Sequence, residues 1–211
     1  MCGAGMTPQK RAFDLVLLLL ALPLALPLLA LLLGLMALCQ GRPFFYVSER
    51  MLSPTQGFYL IKLRSMHPVS AAENSGVSGG DKAARITRLG AILRRSHLDE
   101  LPQLWNVLRG ELSFVGPRPP LRQYIKSNPE LYDIVLKNRP GITGLATLIF
   151  HRHEACLLAA CTTPAQTEAT YTRRCIPRKA RIDLLYQERQ SLCLDLWLIG
   201  RTIATLLRPR V

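Results

Sequence analysis

The chain has 211 residues, with 27 lysines and arginines against 14 aspartates and glutamates, for a formal net charge of +13 at pH 7. That length excludes a multidomain assembly and leaves one domain of ordinary size with at most an appendage. The charge points to anionic partners, whether nucleic acid, phosphorylated metabolites or an acidic lipid surface, and six scattered cysteines without a C-x-x-C pair fit a reduced cytoplasmic body rather than a disulfide framework.

Residues 1–9 are a short leader of polar and small residues. Residues 15–39 carry no charge, are mostly Leu and Ala, and exceed the ~20 residues that span a bilayer. The run is too long for a signal-peptide core and no convincing cleavage site follows it, so the chain is a membrane protein. Pro23 and Pro27 interrupt it, each removing a helix donor. Lys10 and Arg11 precede the run; Arg42 and Arg50 follow it. Symmetric basic flanks favour both ends lying on the cytoplasmic side. A helix that bends at Leu22-Pro23 and leaves by the face it entered satisfies both observations; a kinked span with Arg42 outside is the alternative.

Residues 43–47 and 58–63 read as strands, joined through Ser53-Pro54-Thr55-Gln56-Gly57 into a hairpin. Lys62 and Arg64, two apart, are expected on one face. Residues 67–82 hold Ser-Gly and Gly-Gly with few large apolar residues and read as a mobile loop. Ile86, Leu89 and Leu93 make a short amphipathic helix carrying Arg85, Arg88, Arg94 and Arg95 toward an acidic pair, Asp99-Glu100.

That pair is the most informative feature. Leu101, Leu104, Trp105 and Leu108 fall at i, i+3, i+4 and i+7, one apolar face of a short helix closed by Gly110. Asp99 and Glu100 are then expected at its N-terminus, where the dipole lowers carboxylate pKa values. Ringed by Arg94, Arg95 and Arg118, they suit a metal ion facing a phosphate; ordinary N-capping with salt bridges explains the same residues. Further on, residues 120–135 read as helical, and Arg139-Pro140-Gly141-Ile142-Thr143-Gly144 as a glycine-rich turn, either plain or presenting N–H groups to an anion. Helices are expected around 155–160 and over 177–190. Residues 192–207, apolar apart from Asp195 and Arg201, form a core helix or one lying among headgroups with Trp197 as anchor. His151, His153, Glu154 and Cys156 are donors of the kind zinc uses, without a matching second cluster.

These motifs together resemble the bacterial sugar transferases, the monotopic phosphoglycosyl transferases that begin lipid-linked glycan assembly. The likeness runs from Lys10-Arg11-Ala12-Phe13-Asp14 through Lys62-Leu63-Arg64-Ser65-Met66 to Arg139–Gly144, and is most specific in Leu98-Asp99-Glu100-Leu101-Pro102-Gln103-Leu104 and Ser113-Phe114-Val115-Gly116-Pro117-Arg118-Pro119. The length matches the small members made of the catalytic unit alone. The resemblance implies transfer of a sugar-1-phosphate from a UDP-sugar to undecaprenyl phosphate, with release of UMP and a covalent intermediate on Asp99. Direct transfer through a ternary complex and a non-enzymatic basic membrane module are the alternatives.

The implied fold is α+β and mostly helical. Residues 1–42 would form the leader and re-entrant membrane helix, broken at Leu22, Pro23 and Pro27. Residues 43–211 would form a cytoplasmic-face catalytic domain with a small hairpin and interfacial helices at the inner membrane. Asp99 and Glu100 would serve catalysis and Mg²⁺; Lys62, Arg64, Arg88, Arg94 and Arg118 would hold phosphate. Membrane lipid is a further implied partner, nucleic acid is not, and a homodimer is left open. Two departures from the family pattern stand out: His97 where Ser or Thr usually precedes the nucleophile, and Leu22 where Ser often precedes the proline.

Overall fold

The computed structural model describes residues 6–68 and 80–207; most of the loop expected over 67–82 lies outside the described residues. The chain opens with α1 (Pro8–Cys39), a single helix running through both Pro23 and Pro27. Thr7 caps it, its hydroxyl accepting from Lys10 N at 3.2 Å. Its buried residues Lys10, Asp14, Leu18, Ala25, Leu32 and Met36 recur every four or seven positions, so one narrow stripe is covered along its length. Much of the rest is exposed: Leu24 is 77% and Leu38 88% exposed. An apolar surface of that size is not stable in water, and α1 is the one helix among the described residues long and apolar enough to cross a membrane. That helix points to membrane association.

Both ends of α1 grip the same body. At its start, Lys10 reaches Asp195 (2.5 Å) and Asp14 accepts from the Ser113 hydroxyl (3.1 Å) and Phe114 N (3.3 Å). Arg11 donates to the carbonyls of Val107 (2.6 Å) and Leu108 (2.7 Å). At its end, Leu32 and Met36 pack on Leu63 and Leu93, and Arg64 donates to the carbonyls of Gln40 and Gly41, both at 2.9 Å.

The hairpin follows as β1 (Phe45–Met51) and β2 (Gly57–Leu63), antiparallel with Phe45 opposite Leu63 and Met51 opposite Gly57. A 3₁₀ turn (Gly80–Arg85) leads into α2 (Arg88–Ser96), capped by the Thr87 hydroxyl. Gly90 is obligatory here, because a Cβ would lie 2.0 Å from the Ser65 carbonyl. Leu98–Glu100 form a separate 3₁₀ turn before α3 (Gln103–Leu108).

The apolar face read over Leu101–Leu108 is not the buried one. Helix α3 buries Gln103, Asn106 and Val107, leaving Trp105 54% and Leu108 46% exposed. The reason is Asn106, which accepts from Ile61 N (3.3 Å) and donates to Tyr59 O (2.8 Å) and Glu111 (2.7 Å). The open edge of β2 needs those partners, so a polar residue takes the inner position and the apolar ones turn outward.

Next come β3 (Ser113–Val115), α4 (Arg122–Ser127), α5 (Pro129–Val135) and β4 (Gly141–Thr143). The segment read as a glycine-rich turn is thus a strand, parallel to β3. Its glycines serve close backbone approach rather than an anion: a Cβ on Gly144 would lie 2.2 Å from Gly116 O. Helices α6 (Leu145–Ala159) and α7 (Pro164–Thr170), a π-helical turn (Tyr171–Cys175), α8 (Ile176–Glu188) and α9 (Leu192–Leu207) complete the chain. The fold is mostly helical with two small sheets. One core joins Met51, Tyr124, Tyr132, Val135 and Ile176; another joins Val115, Tyr186 and Leu198.

Candidate active site

A cavity of about 750 Å³ opens between β2, the Leu98–Glu100 turn, the Arg118 loop, α6 and α8. Asp99 and Glu100 stand in its wall, each 8% exposed. Their turn is aimed by His97, which ends α2 in the left-handed region (φ 55°) and donates its backbone N–H back to Arg94 O and Leu93 O. Histidine enters that region more readily than most residues, which suits it to this corner.

Glu100 Oε1 receives two charged donors, Lys62 Nζ at 2.5 Å and Arg118 Nη2 at 2.7 Å. Burial alone would raise its pKa, but the Arg118 and Lys62 charges and hydrogen bonds hold it far below the usual carboxylate range. Asp99 behaves oppositely. Burial pushes it up, the nearby Glu100 charge adds to this, and Lys62, Arg94 and Arg118 only partly counter it. The expected lowering is therefore reversed for Asp99: it lies in the Leu98–Glu100 turn ahead of α3, and desolvation outweighs the nearby cations. Burial lowers Lys62 and Arg50, while Glu100 raises Arg118.

The expected site residues divide by position. Lys62, Arg94, Asp99, Glu100 and Arg118 meet at the cavity. Arg64 lines it too, but its guanidinium caps the end of α1, so Lys62 and Arg64, two apart at the end of β2, serve the dyad and the α1 end respectively. Arg88 begins α2, exposed and away from the cavity wall. Leu22, Pro23 and Pro27 lie mid-helix in α1 without ending it.

The zinc-type donors separate. His151 and Glu154 line the cavity, whereas His153 accepts from Arg178 at 2.9 Å and Cys156 is exposed. No group of three or more metal-ligating side chains occurs among the described residues. Two adjacent carboxylates nevertheless fit Mg²⁺, which takes one or two protein carboxylates together with substrate phosphates and water.

Sequence reasoning missed Arg50, Tyr171, Lys179 and Asp183, all in the cavity wall. The signal was there in α8: Ile176, Lys179, Ala180 and Asp183 share one face and are all buried, and charges on an otherwise apolar stripe call for a reason. Asp183 is pushed up to about 7 by burial, against the Lys179 charge and a hydrogen bond from the Ala146 backbone.

Residues 6–209 match the family model described as bacterial sugar transferase. The chain belongs to that family. It is 31% identical over 212 residues to the exopolysaccharide production protein ExoY of Rhizobium meliloti, covering 92% of this chain and 83% of that protein. It is 36% identical over 208 residues to an undecaprenyl-phosphate glucose phosphotransferase of Komagataeibacter xylinus, covering 92% of this chain but 35% of the relative. An Aeromonas hydrophila UDP-N-acetylgalactosamine-undecaprenyl-phosphate N-acetylgalactosaminephosphotransferase is 31% identical over 205 residues, covering 94% of this chain and 43% of its own length. As a sugar transferase the chain is an enzyme, and the paired carboxylates in their cationic ring are its candidate centre.

Proposed function

We propose that this sugar transferase is a polyprenyl-phosphate sugar-1-phosphate transferase, moving the group from a UDP-sugar to undecaprenyl phosphate in polysaccharide synthesis and releasing UMP. The observation that carries the reading is the dyad. Glu100 is fixed by Lys62 and Arg118, while Asp99 carries no comparable clamp among the described residues and lines the cavity. A carboxylate is an accepted covalent nucleophile. Asp99 attacks the phosphorus that bears the sugar, the bond to the UMP oxygen breaks, and a phosphosugar-aspartate forms. An oxygen of undecaprenyl phosphate then attacks the same phosphorus, releasing the Asp99 carboxylate and giving the undecaprenyl-diphospho-sugar.

Arg118, Arg94 and Lys62 bind and orient phosphate oxygens, the arginines through planar forks. Mg²⁺ bound by Asp99 and Glu100 would neutralise charge on the diphosphate. The lipid acceptor gives the outward faces their purpose. The bare sides of α1, Trp105 and Leu108 on α3, and Leu196, Trp197 and Ile203 on α9 are suited to the bilayer and its headgroup layer. The re-entrant reading of α1 is supported by its attachment at both ends to one body. With the UDP-sugar being cytosolic, that body belongs on the cytoplasmic face of the inner membrane.

Asp99→Asn should abolish UMP release from a UDP-sugar with undecaprenyl phosphate, and the wild type should yield a trapped phosphosugar adduct on Asp99. Near-normal turnover by Asp99→Asn, or ternary-complex kinetics without an adduct, would overturn the covalent route.

A further inference from the structure

The cavity has a second wall that phosphoryl transfer does not use. On α6, Thr147, His151, Glu154, Ala155 and Leu158 fall at i, i+4, i+7, i+8 and i+11 and line the cavity; opposite them stand Lys179 and Asp183 of α8. Both oxygens of Glu154 accept from Lys179 Nζ at 3.1 Å, and the ammonium also lies 3.5 Å from the Tyr171 hydroxyl and 5.3 Å from the centre of its ring. Lys179 is 11% and Glu154 19% exposed, so the pair is sheltered yet presented to the cavity.

The electrostatics of the two walls differ. Around Asp99 and Glu100 gather Lys62, Arg94 and Arg118, a surplus of positive charge suited to a diphosphate. On the α6–α8 wall the Lys179 charge is neutralised by Glu154, and Asp183 adds a second acid. A carboxylate and an ammonium held side by side, each neutralising the other, suit neutral hydroxyls better than phosphate. A carboxylate accepts from hydroxyls, and an ammonium donates to them. Arg118 links the walls: it is bonded to Glu100 at 2.7 Å and feels the charge of Glu154. The wall therefore begins about one side chain away from the group that holds the reacting phosphate.

We infer that the Glu154–Lys179 pair, on the wall shared with Tyr171 and Asp183, is the subsite for the hydroxyls of the transferred sugar, with Glu154 as its specificity-determining residue. The inference rests on the transferase reading above. The ribose of the donor offers the same hydroxyl chemistry, but the sugar is bonded directly to the phosphorus that Asp99 attacks and is the nearer of the two.

The test measures kcat/KM for UDP-glucose, UDP-galactose, UDP-N-acetylglucosamine and UDP-N-acetylgalactosamine, with undecaprenyl phosphate as acceptor, in the wild type and in Glu154→Gln. Loss of a charge-assisted hydrogen bond to one epimer's hydroxyl should compress the ratio between the best and second-best donors by about ten- to a hundredfold. Product inhibition by UMP, which carries the ribose but no transferred sugar, should stay unchanged. An equal fall for all donors, an unchanged ratio, or a parallel weakening of UMP inhibition would each overturn the subsite while leaving the transferase intact. A wild type that releases UMP from none of the four overturns the transferase reading and the subsite with it. Should Glu154→Gln fail to fold, Lys179→Arg keeps the ion pair, displaces its hydrogen-bonding atoms, and is read by the same ratio.

Discussion

Replacing Lys62 by Met tests the dyad through its geometry. Lys62 Nζ lies 2.5 Å from Glu100 Oε1 with the lysine side chain 17% exposed, and a hydrogen bond to a charged group contributes about 1.5–3 kcal/mol. Arg118 stays on the same oxygen at 2.7 Å, although its more exposed guanidinium is partly screened. The loss therefore stays below the ~3–5 kcal/mol of a buried charge left wholly unpaired. If the transition state realises that energy, kcat/KM falls about 10- to 150-fold.

A second signature has a definite sign. Burial raises the Asp99 pKa, and the Lys62 charge is the largest influence opposing the rise. Attack needs the ionised carboxylate, so kcat/KM climbs with pH through the Asp99 pKa. Lys62→Met removes the opposing charge and must move that acid limb to higher pH. UMP release at low UDP-sugar concentration, followed across the acid range in detergent micelles, reads both effects. A slowed variant whose acid limb stays in place or moves to lower pH would refute the assignment of Lys62 to the dyad.

Arg118→Lys keeps the charge but loses the planar fork, so UMP release should remain impaired by about tenfold or more; full activity would reduce Arg118 to bulk electrostatics. Because burial raises the Asp99 pKa, its ionised form opposes folding at neutral pH and its protonated form does not. Asp99→Asn should therefore unfold at a higher temperature than wild type at pH 7, and the difference should close as pH falls through the raised Asp99 pKa. Asp195→Ala leaves buried Lys10 with Asp14 at 3.7 Å as its remaining carboxylate among the described residues and removes the acceptor of the Tyr186 hydroxyl at 2.6 Å, and should cost about 2–3 kcal/mol in denaturant unfolding. Replacing Pro23 and Pro27 together by Ala should let part of the population span. A cysteine placed near the N-terminus of a cysteine-free background should then react with an impermeant maleimide in intact cells, and stay protected when the prolines are kept.

The helices and the hairpin were legible where apolar periodicity and turn residues agreed, as at Ser53–Gly57 between the two strands. The acidic pair was legible because its neighbours form an ordered run of motifs. Periodicity misled at Trp105 and Leu108, since it reports an apolar face without saying whether protein or lipid covers it. The parallel pairing of β3 and β4 was hidden because each is three residues long, too short for alternation to show. Arg64 and Lys62 looked equivalent at a spacing of two; only the end of α1, brought back beside β2, tells a helix-capping arginine from a lysine on the dyad. The Glu154–Lys179 pair spans 25 positions, and no local pattern links residues that meet only when α6 and α8 pack.

The attachment of α1 has a mechanical consequence. Asp14 is bonded to the Ser113 hydroxyl and to Phe114 N of β3, and the chain leaves β3 directly into Gly116-Pro117-Arg118. A lateral pressure or thickness change that shifts the apolar helix thus pulls on the strand three residues ahead of the loop that carries the guanidinium. The other root, Arg64 on the Gln40 and Gly41 carbonyls, follows immediately on the strand that supplies Lys62. The two cations on Glu100 are each one short stretch of backbone from an anchor point. With α1 in the bilayer as proposed, lipid composition would act on the spacing of the charged trio itself, and turnover in bilayers of different acyl-chain length would gauge how rigidly that trio is held.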